Sequence, residues 1–555
     1  LVLAGPGAGK TRILTERMVR LLKAGTAPSH LLALTFSRKA GEEILERVQT
    51  RVEGALPYCG TFHALAWRLL QKTSAAQGKR VALLSESRAN ALLSQALELC
   101  GRGLEGSRLR SFVQDFWRRR ERCETGQDRD VLESYKRLKN AGPVRFVDFC
   151  DLLEWLAEQR IPCEHVLVDE IQDLSALQVK VLEALLPDSG RGFFGIGDPD
   201  QSIYAFRGAL GDVVHVLQGL WPDLETMTLK TSFRSSQKIL DLACRAMQER
   251  PASGHLVAAR QLSATLTAFD APTQAMEERW IAEQMEMLLG SSSHTLMDEQ
   301  KGPGLDNIAP QDIAVLVRLK AQIPSLTRAL VKRGIPVQAP ALELFWQDEG
   351  VQKVLSFMED EVASQGLGAG LASIAGERAS TLSPEALVPV FRDRGVLDEE
   401  TLSSDAWKEM LRAFGKCGSW EKLLEHVLWL KEADVLQGKA QSVRLLTMHA
   451  AKGLEFRAVF LPGFNDGLMP HDRGILQGGE EELVGEALEE ERRLLYVALT
   501  RASEAVYVSS SRKRTLYGRE IELEPSRFFR DMAALFSKKR VVRHEEKKLT
   551  LGSLV

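Results

Sequence analysis

The 555-residue chain has few aromatic residues, no long apolar run and no closely spaced cysteines. No window approaches ~18 consecutive apolar residues, which excludes an ordinary membrane-spanning helix. The seven cysteines never occur as CxxC, and their odd number argues against a zinc cluster or a disulfide framework. Basic residues (72) nearly balance acidic ones (75), so any nucleic-acid partner must be bound by local patches. The 44% hydrophobic content indicates a globular protein with several cores.

Short apolar runs alternate with helical stretches along most of the chain. They lie at residues 1–4, 31–36, 166–168, 192–196, 313–317, 443–448 and 459–461. Runs of this length between helices predict an α/β fold of parallel sheets covered on both faces. Residues 73–162 and 359–440 break the alternation and predict mainly helical insertions. Because the chain starts without methionine and inside an apolar run, we expect a fragment of a longer protein.

A glycine-rich turn follows the first apolar run. Residues 4–11 (AGPGAGKT) fit [AG]xxxxGK[ST] and lead into a helical stretch, which is the context of a phosphate-binding P-loop. Small loop residues let backbone N–H groups turn toward phosphate oxygens; they are Gly5, Gly7, Ala8 and Gly9. We expect Lys10 to reach the β- and γ-phosphates of ATP and Thr11 to bind Mg²⁺ through its hydroxyl.

An acidic pair ends another apolar run. Residues 165–170 read HVLVDE, so Asp169 and Glu170 directly follow three apolar residues. A P-loop ATPase needs such a pair at the end of a buried strand. We expect Asp169 to bind the Mg²⁺ shell and Glu170 to orient and deprotonate the attacking water.

Seven ordered boxes resemble those of superfamily 1 DNA helicases of the UvrD/Rep/PcrA type. Besides the P-loop, they are residues 35–40 (TFSRKA), 60–64 (GTFHA), 169–173 (DEIQD), 197–209 (GDPDQSIYAFRGA), 232–235 (SFRS), 447–456 (TMHAAKGLEF) and 490–502 (EERRLLYVALTRA). Ser232 and Phe233 stand where relatives have asparagine and tyrosine, and Phe206 where many have tryptophan. Phe233 and Phe206 keep aromatic faces, so we expect stacking on adenine and on a base to survive.

The resemblance implies two RecA-like motor domains, each with an inserted helical subdomain, and ATP in the cleft between them. The implied boundaries are 1–72 with 163–225 for the first motor domain, 73–162 for its insertion, 226–358 with 441–540 for the second, 359–440 for its short insertion, and 541–555 for a C-terminal tail. Rotation of the second insertion as a regulatory movement is in doubt, because that insertion is short for the family.

The resemblance also assigns roles residue by residue. Gln201 would sense the γ-phosphate, and Arg234 and Arg501 would act as arginine fingers. Around the nucleoside, Arg12 and Phe233 would sandwich adenine and Glu455 would meet the ribose. Residues carried over as contacts to single-stranded DNA are Thr35, Ser37, Phe62, His63, Tyr204, Phe206, Arg207, His449 and Lys452.

Several of these positions have a purely structural alternative. Tyr204 and Phe206 could be core aromatics, and His63 and His449 could be structural histidines. Seven arginines against three acids lie between residues 101 and 122, interleaved with aromatics. That segment predicts either a phosphate-binding patch or a solvated helical face.

The leading hypothesis is an ATP- and Mg²⁺-dependent 3′-to-5′ DNA translocase and helicase acting on single-stranded DNA and on single-strand/duplex junctions. We expect it in the cytoplasm, with partners in DNA repair, replication or recombination and no membrane partner. One alternative is the helicase portion of a larger helicase–nuclease or repair complex, a DNA-dependent ATPase that does not unwind alone. A protein-remodelling P-loop ATPase and a catalytically weak DNA-binding scaffold are the other hypotheses.

Overall fold

The computed structural model describes residues 1–538 with gaps. The gaps are 78–80, 142–144, 160, 162, 187–189, 250, 253, 291–307, 340–345, 347, 364–381, 399–400, 403, 421, 425–426, 428–441, 473–484 and 517. The predicted tail at 541–555 and residues 364–381 and 428–440 of the second insertion therefore lie outside the described residues. The chain divides into a first unit, Leu1–Lys230 with Gln338–Ala440, and a second unit, Thr231–Val337 with Gln441–Val555. Within the described residues, no helix combines the length and the apolar character that crossing a bilayer requires.

A parallel sheet forms the centre of the first unit. Its strands are β1 (Val2–Ala4), β2 (Leu31–Leu34), β3 (Tyr58–Gly60), β6 (His165–Val168), β7 (Phe193–Gly197) and β8 (Met227–Leu229), in the spatial order β3-β2-β6-β7-β1-β8. A separate two-stranded parallel sheet pairs β4 (Val81–Leu83) with β5 (Arg145–Val147). Each apolar run predicted for this part of the chain contains a strand.

Helices cover both faces of the central sheet. Those of residues 1–230 are α1 (Lys10–Lys23), α2 (Arg38–Gln49), α3 (Phe62–Ala76), α4 (Glu86–Leu99), α5 (Gly106–Glu121), α6 (Arg129–Lys139), α7 (Phe149–Ala157), α8 (Ala176–Leu185) and α9 (Val213–Leu220). Successive side chains of β2 point to opposite faces. Leu31 therefore packs in one core with Leu14 of α1, while Leu32 packs in the other with Leu153 of α7. These two cores are what the uninterrupted apolar strands require.

The first insertion contains the β4–β5 pair, which the sequence interpretation as nearly all helix did not anticipate. Its helices α4, α5 and α6 share a small core that includes Phe116 and Tyr135. Next to that core, Arg120 and Lys139 form buried ion pairs with Asp148 and Asp151.

A second helical core lies in residues 346–427. The described helices there are α13 (Glu349–Ala363), α14 (Pro384–Asp393) and α15 (Asp405–Cys417). Trp407, Phe391 and the fully buried Trp420 pack together in this core. The indole N–H of Trp420 donates to Leu382 O at 3.0 Å, which satisfies its buried polar atom.

The second unit contains a larger, mostly parallel sheet. Its strands run β13-β14-β12-β15-β16-β11-β18, and β17 pairs antiparallel with β16. Their bounds are β11 (Thr265–Thr273), β12 (Ile313–Val317), β13 (Val337–Gln338), β14 (Val443–Thr447), β15 (Phe456–Leu461), β16 (Ala502–Leu516), β17 (Arg519–Glu522) and β18 (Ser537–Lys538), while β9 (Thr231–Ser232) pairs with β10 (Val257–Ala258). Helices are α10 (Gln237–Ala246), α11 (Gln274–Leu288), α12 (Ile323–Val331), α16 (Gly485–Leu499) and α17 (Phe528–Met532). Two parallel sheets with helices confirm the predicted α/β class; the exact domain boundaries stay predictions.

Candidate nucleotide and DNA site

The strand order of the first unit brings three predicted boxes together. Strand β7 lies between β6 and β1 and is parallel to both. The carboxyl ends of parallel strands share one edge of the sheet, so the segments that follow these three strands are neighbours. They contain the acidic pair, Gln201 and the P-loop.

The P-loop has the backbone of a phosphate-binding turn. Gly9 precedes α1 with φ 84°, a left-handed conformation that favours glycine, and no side chain caps the helix there. The first N–H groups of a helix have no acceptor within the helix and attract anions. Lys10 starts α1, and its Nζ donates to Ala4 O at 3.2 Å, which holds the ammonium group over the loop.

The carboxylates at this edge are buried in an environment with little positive charge. Asp169 is 7% exposed and Asp198 is fully buried. Burial, with the nearby charge of Glu170, raises the pKa of Asp169 to about 7, although Lys10 opposes the shift. Burial also raises the pKa of Asp198, against Lys10 and a hydrogen bond from Gln201. A divalent cation would relieve this shortage of charge, and oxygen donors are the ligands Mg²⁺ prefers.

Glu170 is held in a constrained position. Its φ is 51°, which is uncommon for a residue with a Cβ and is found mainly where the surroundings enforce it. Gln172 donates to the Glu170 carboxylate through Nε2 and accepts from Asp198 N through Oε1 at 2.9 Å. Gln201 is 3% exposed and donates to Asp198 Oδ2 at 2.7 Å. Glu170 is thus tied to the loop that contains the predicted γ-phosphate sensor.

Exposed aromatic side chains lie beside this edge. The rings of Phe36 and Tyr204 stack with centroids 5.1 Å apart, and Phe206 is 52% exposed. The Arg207 guanidinium lies 5.5 Å from the centroid of Tyr204 and 5.6 Å from that of Phe206. Stacking faces beside a cation are typical of single-strand binding surfaces. Phe36 was not among the predicted contacts, although its place between the predicted contacts Thr35 and Ser37 could have indicated it.

A cavity of about 320 Å³ connects the carboxylates to the aromatic side chains. Asp169 and Glu170 line it together with Tyr204, Arg207 and His63. Burial lowers the pKa of His63 to about 4, so the ring is neutral near pH 7. Its Nε2 is buried and has no hydrogen-bond partner among the described residues. His63 can therefore meet a ligand through a hydrogen bond and not as a cation.

Three other predicted DNA contacts in the first unit differ in exposure. Phe62 packs in the core at 4% exposure, and Thr35 is 2% exposed with its hydroxyl donating to Ser37 O at 2.8 Å. Both residues nevertheless line the cavity that Asp169 and Glu170 share with Tyr204. Ser37 is exposed and caps α2 by accepting from Ala40 N at 3.2 Å. Arg12 and Thr11, predicted for adenine and Mg²⁺, lie exposed and half-buried on α1.

In the second unit, three predicted nucleotide residues cluster. Arg234 forms an ion pair with Glu455 and donates to Thr500 O at 3.2 Å. Arg501 is 2% exposed and donates to Val497 O at 2.9 Å and Leu454 O at 3.3 Å. The guanidinium of Arg501 therefore points into its own unit.

The remaining predicted residues of the second unit lie nearer its surface. Phe233 is 56% exposed, as a stacking residue requires. His449 and Lys452 are half-buried; His449 begins a short 3₁₀ turn, and Lys452 directly follows it. The roles of these residues stay predictions.

Comparison with known proteins identifies the family. The model of the UvrD/REP helicase N-terminal domain matches residues 1–218, and that of the UvrD-like helicase C-terminal domain matches residues 227–362 and 386–513. The chain belongs to the UvrD/REP helicase family. It is therefore an enzyme, an ATP-dependent DNA helicase by family, and the predicted resemblance is confirmed.

Individual relatives are similar in sequence to this UvrD-like helicase along most of their length. The ATP-dependent DNA helicase PcrA of Staphylococcus aureus (strain MRSA252) is 25% identical over 643 residues, covering 96% of this chain and 84% of that protein. PcrA of Staphylococcus epidermidis (strain RP62A) is 24% identical with the same coverage. The C-terminal domain of a possible DNA helicase from Lactobacillus plantarum aligns at a TM-score of 0.26 and 14% identity, too low to carry an argument.

Proposed function

We propose that this UvrD-like helicase couples ATP hydrolysis to 3′-to-5′ movement along single-stranded DNA and unwinds duplexes at single-strand/duplex junctions. One observation supports this proposal most strongly. The carboxylates suited to hydrolysis, Asp169 and Glu170, line the same cavity as Tyr204 and Arg207 of the aromatic surface. A strand bound to that surface would lie next to the hydrolytic groups.

The hydrolytic roles follow from the positions of the side chains. Lys10 lies at the start of α1, where it would neutralise β- and γ-phosphate charge. Asp169 and Thr11 would hold Mg²⁺, which would supply further positive charge at the phosphates when bound. Glu170, oriented by Gln172, would accept the proton of the attacking water. Gln201 would report the γ-phosphate through its hydrogen bond to Asp198.

The aromatic surface supplies the DNA-binding part of the proposal. Phe36, Tyr204 and Phe206 offer π-faces that any base can stack on, and Arg207 adds a cation beside them. Sequence-tolerant stacking suits a translocase, because the enzyme must accept every base in turn. The assignments of Arg234, Arg501, Phe233 and Glu455 to nucleotide, and of His449 and Lys452 to DNA, stay predictions. So do a repair role and a cytoplasmic location.

A strand-displacement assay tests direction and unwinding together. The substrates are duplexes of equal length with either a 3′ or a 5′ single-stranded tail, with Mg²⁺ and ATP in excess. The proposal expects displacement from the 3′-tailed duplex and little from the 5′-tailed one. Displacement of only the 5′-tailed duplex would contradict the polarity. DNA-stimulated ATP hydrolysis without displacement of either would favour the helicase portion of a larger complex.

A further inference from the structure

The end of helix α5 lies beside two parts of the proposed site. One is the hydrolytic box, residues 169–173, and the other is the aromatic surface, formed by Phe36, Tyr204 and Phe206 with Arg207. Helix α5 belongs to the first insertion, whose residues match none of the seven boxes. Its last residue, Glu121, lines the same cavity as Glu170 and Tyr204. The sequence predicted either a phosphate-binding patch or a solvated helical face for residues 101–122 and assigned Glu121 no role.

Glu121 is hydrogen-bonded directly to the segment that follows the hydrolytic box. Its Oε2 accepts from Ser175 Oγ at 2.7 Å, and its Oε1 accepts from Cys150 Sγ at 3.8 Å. Ser175 is the N-cap of α8 and follows residues 169–173 by two positions. Glu121 is largely removed from water at this point, and burial raises its pKa despite these hydrogen bonds. Burying a carboxylate costs free energy unless hydrogen bonds compensate it, so the contacts with Ser175 and Cys150 fix the position of Glu121.

The same helix end also contacts the segment that follows residues 204–207 of the aromatic surface. Arg122 donates to Ala209 O at 3.3 Å. Gly208 has φ 96°, and a Cβ there would lie 2.6 Å from Glu121 Cβ, so the loop passes the helix at a distance only glycine allows. Tyr204 and Phe206 lie just before this contact point.

The two segments that Glu121 and Arg122 contact are also hydrogen-bonded to each other. Ser175 and Ala209 form an isolated antiparallel bridge, and Leu210 N donates to Leu174 O at 2.9 Å. Glu121 contacts one member of this bridge and Arg122 the other. The helix end itself is anchored, because the neighbouring Arg120 is buried in ion pairs with Asp148 and Asp151.

We propose that Glu121 and Arg122 are positioning residues that transmit occupancy of the aromatic surface to the hydrolytic box. A strand on Tyr204 and Phe206 would bias the position of Ala209. The bridge and the side chains of Glu121 and Arg122 would pass that bias to Ser175 and hence to Glu170. This inference rests on the proposed DNA-stimulated hydrolysis and adds the element that couples its two parts.

The test compares steady-state ATP turnover with and without saturating oligo(dT) in the full chain. Glu121→Ala and Arg122→Ala should each lower the ratio of stimulated to basal kcat by at least about fivefold, the low end of ordinary coupling between sites. Basal kcat and the KM for ATP should stay within about twofold. Glu121→Gln keeps an acceptor for Ser175 and should retain most of the stimulation. Gln114→Ala, an exposed position on the same helix, is the matched control.

A double variant separates coupling from simple damage. If Glu121 and Arg122 act through one bridge, the Glu121→Ala/Arg122→Ala loss should be clearly smaller than the product of the single losses. Unchanged stimulation in Glu121→Ala, with DNA stimulation intact in the wild type, would overturn the inference and leave the proposed function standing. A parallel fall in basal turnover, or equal failure of Glu121→Gln, would also overturn it by assigning Glu121 a structural role. If oligo(dT) did not stimulate ATP turnover by the wild type, the proposed function itself would be contradicted.

Discussion

Two buried groups of carboxylates in the first unit differ in how their charge is balanced. In the insertion, Asp148 is surrounded by donors: Arg120 at 2.8 Å, Lys139 at 2.9 Å and the Tyr135 hydroxyl at 2.9 Å. Burial alone would raise the pKa of Asp148, but the charges of Arg120 and Lys139 hold it well below its usual range. At the sheet edge, burial raises the pKa of Asp169 to about 7 because Lys10 does not balance the neighbouring acids.

The difference separates a structural cluster from a functional one. The cluster in the insertion pairs Asp148 and Asp151 with Arg120 and Lys139, so its charges are balanced without any ligand. The sheet edge leaves a deficit of positive charge, which raises the pKa of Asp169 and which a bound cation would relieve. Acids in a cleft whose pKa is raised by burial and by a neighbouring acid, as for Asp169 beside Glu170, are candidates for chemistry.

The largest effect is expected on turnover. Glu170→Gln keeps shape and the contact with Gln172 but cannot accept a proton, so kcat should fall by about 10²–10⁴. The same change at Glu154, which pairs with Arg120 and Lys136 in the insertion, should leave kcat within about twofold. ATP turnover at saturating single-stranded DNA is the measurement. Retention of more than about a tenth of wild-type turnover in Glu170→Gln would reject it as the base.

Breaking the paired cluster should act on stability. Arg120→Met leaves Asp148 and Asp151 buried with one base fewer, and such losses typically cost about 3–5 kcal/mol. Arg129→Met, which removes an exposed pair with Glu133, should change the free energy of unfolding little. Urea unfolding of both variants is the measurement. Equal effects would mean that the buried network contributes no more than a surface pair.

The aromatic surface should affect DNA binding and not folding. Phe206→Ala is expected to weaken oligo(dT) binding by ~1–3 kcal/mol, the usual value of one stacked base. Because the ring is 52% exposed, the urea midpoint should stay nearly constant. Leu99→Ala, at an exposed apolar position of the insertion, should leave both unchanged. Joint loss of stability and affinity in Phe206→Ala would show that the ring is a packing residue.

The two aspartates should respond to pH in opposite directions. A raised pKa means that the contribution of Asp169 is fully present below its unfolded value of about 3.9 and is lost as pH rises through about 7. Without Mg²⁺ or nucleotide, Asp169→Asn should therefore raise the free energy of unfolding at pH 8, by on the order of 1–3 kcal/mol. Asp148 stabilises above its unfolded pKa, so Asp148→Asn should destabilise at pH 6 and pH 8 alike. If both variants were destabilised at pH 8, the proposed difference between Asp169 and Asp148 would be contradicted.

The parts of the structure that sequence could predict are those with local signals. Apolar strands such as β2 and β12 are continuous runs, and the boxes at residues 35–40 and 169–173 directly follow β2 and β6. Strands β4 and β5 were missed because three half-exposed residues carry no recognisable period. The P-loop and the acidic pair were found because motif and strand coincide.

The rest depended on contacts between distant segments. The arginines of residues 101–122 predicted either a phosphate-binding patch or a solvated helical face. In the structure, Arg102 and Arg119 pair with Asp128, Arg118 pairs with Asp115, and Arg120 is buried. Arg120 shares the inward face of α5 with Phe116 four residues earlier, a signal that the charge count obscured. Nothing local indicated that Glu121 would reach Ser175, 54 residues away.

The most direct test of the central claim is steady-state ATP hydrolysis by the full chain with and without oligo(dT). We expect strong stimulation by single-stranded DNA in the wild type and its loss in Glu170→Gln, with both proteins binding oligo(dT) equally. Turnover that is the same with and without DNA, or that persists in Glu170→Gln, would contradict DNA-coupled hydrolysis at this edge of the sheet.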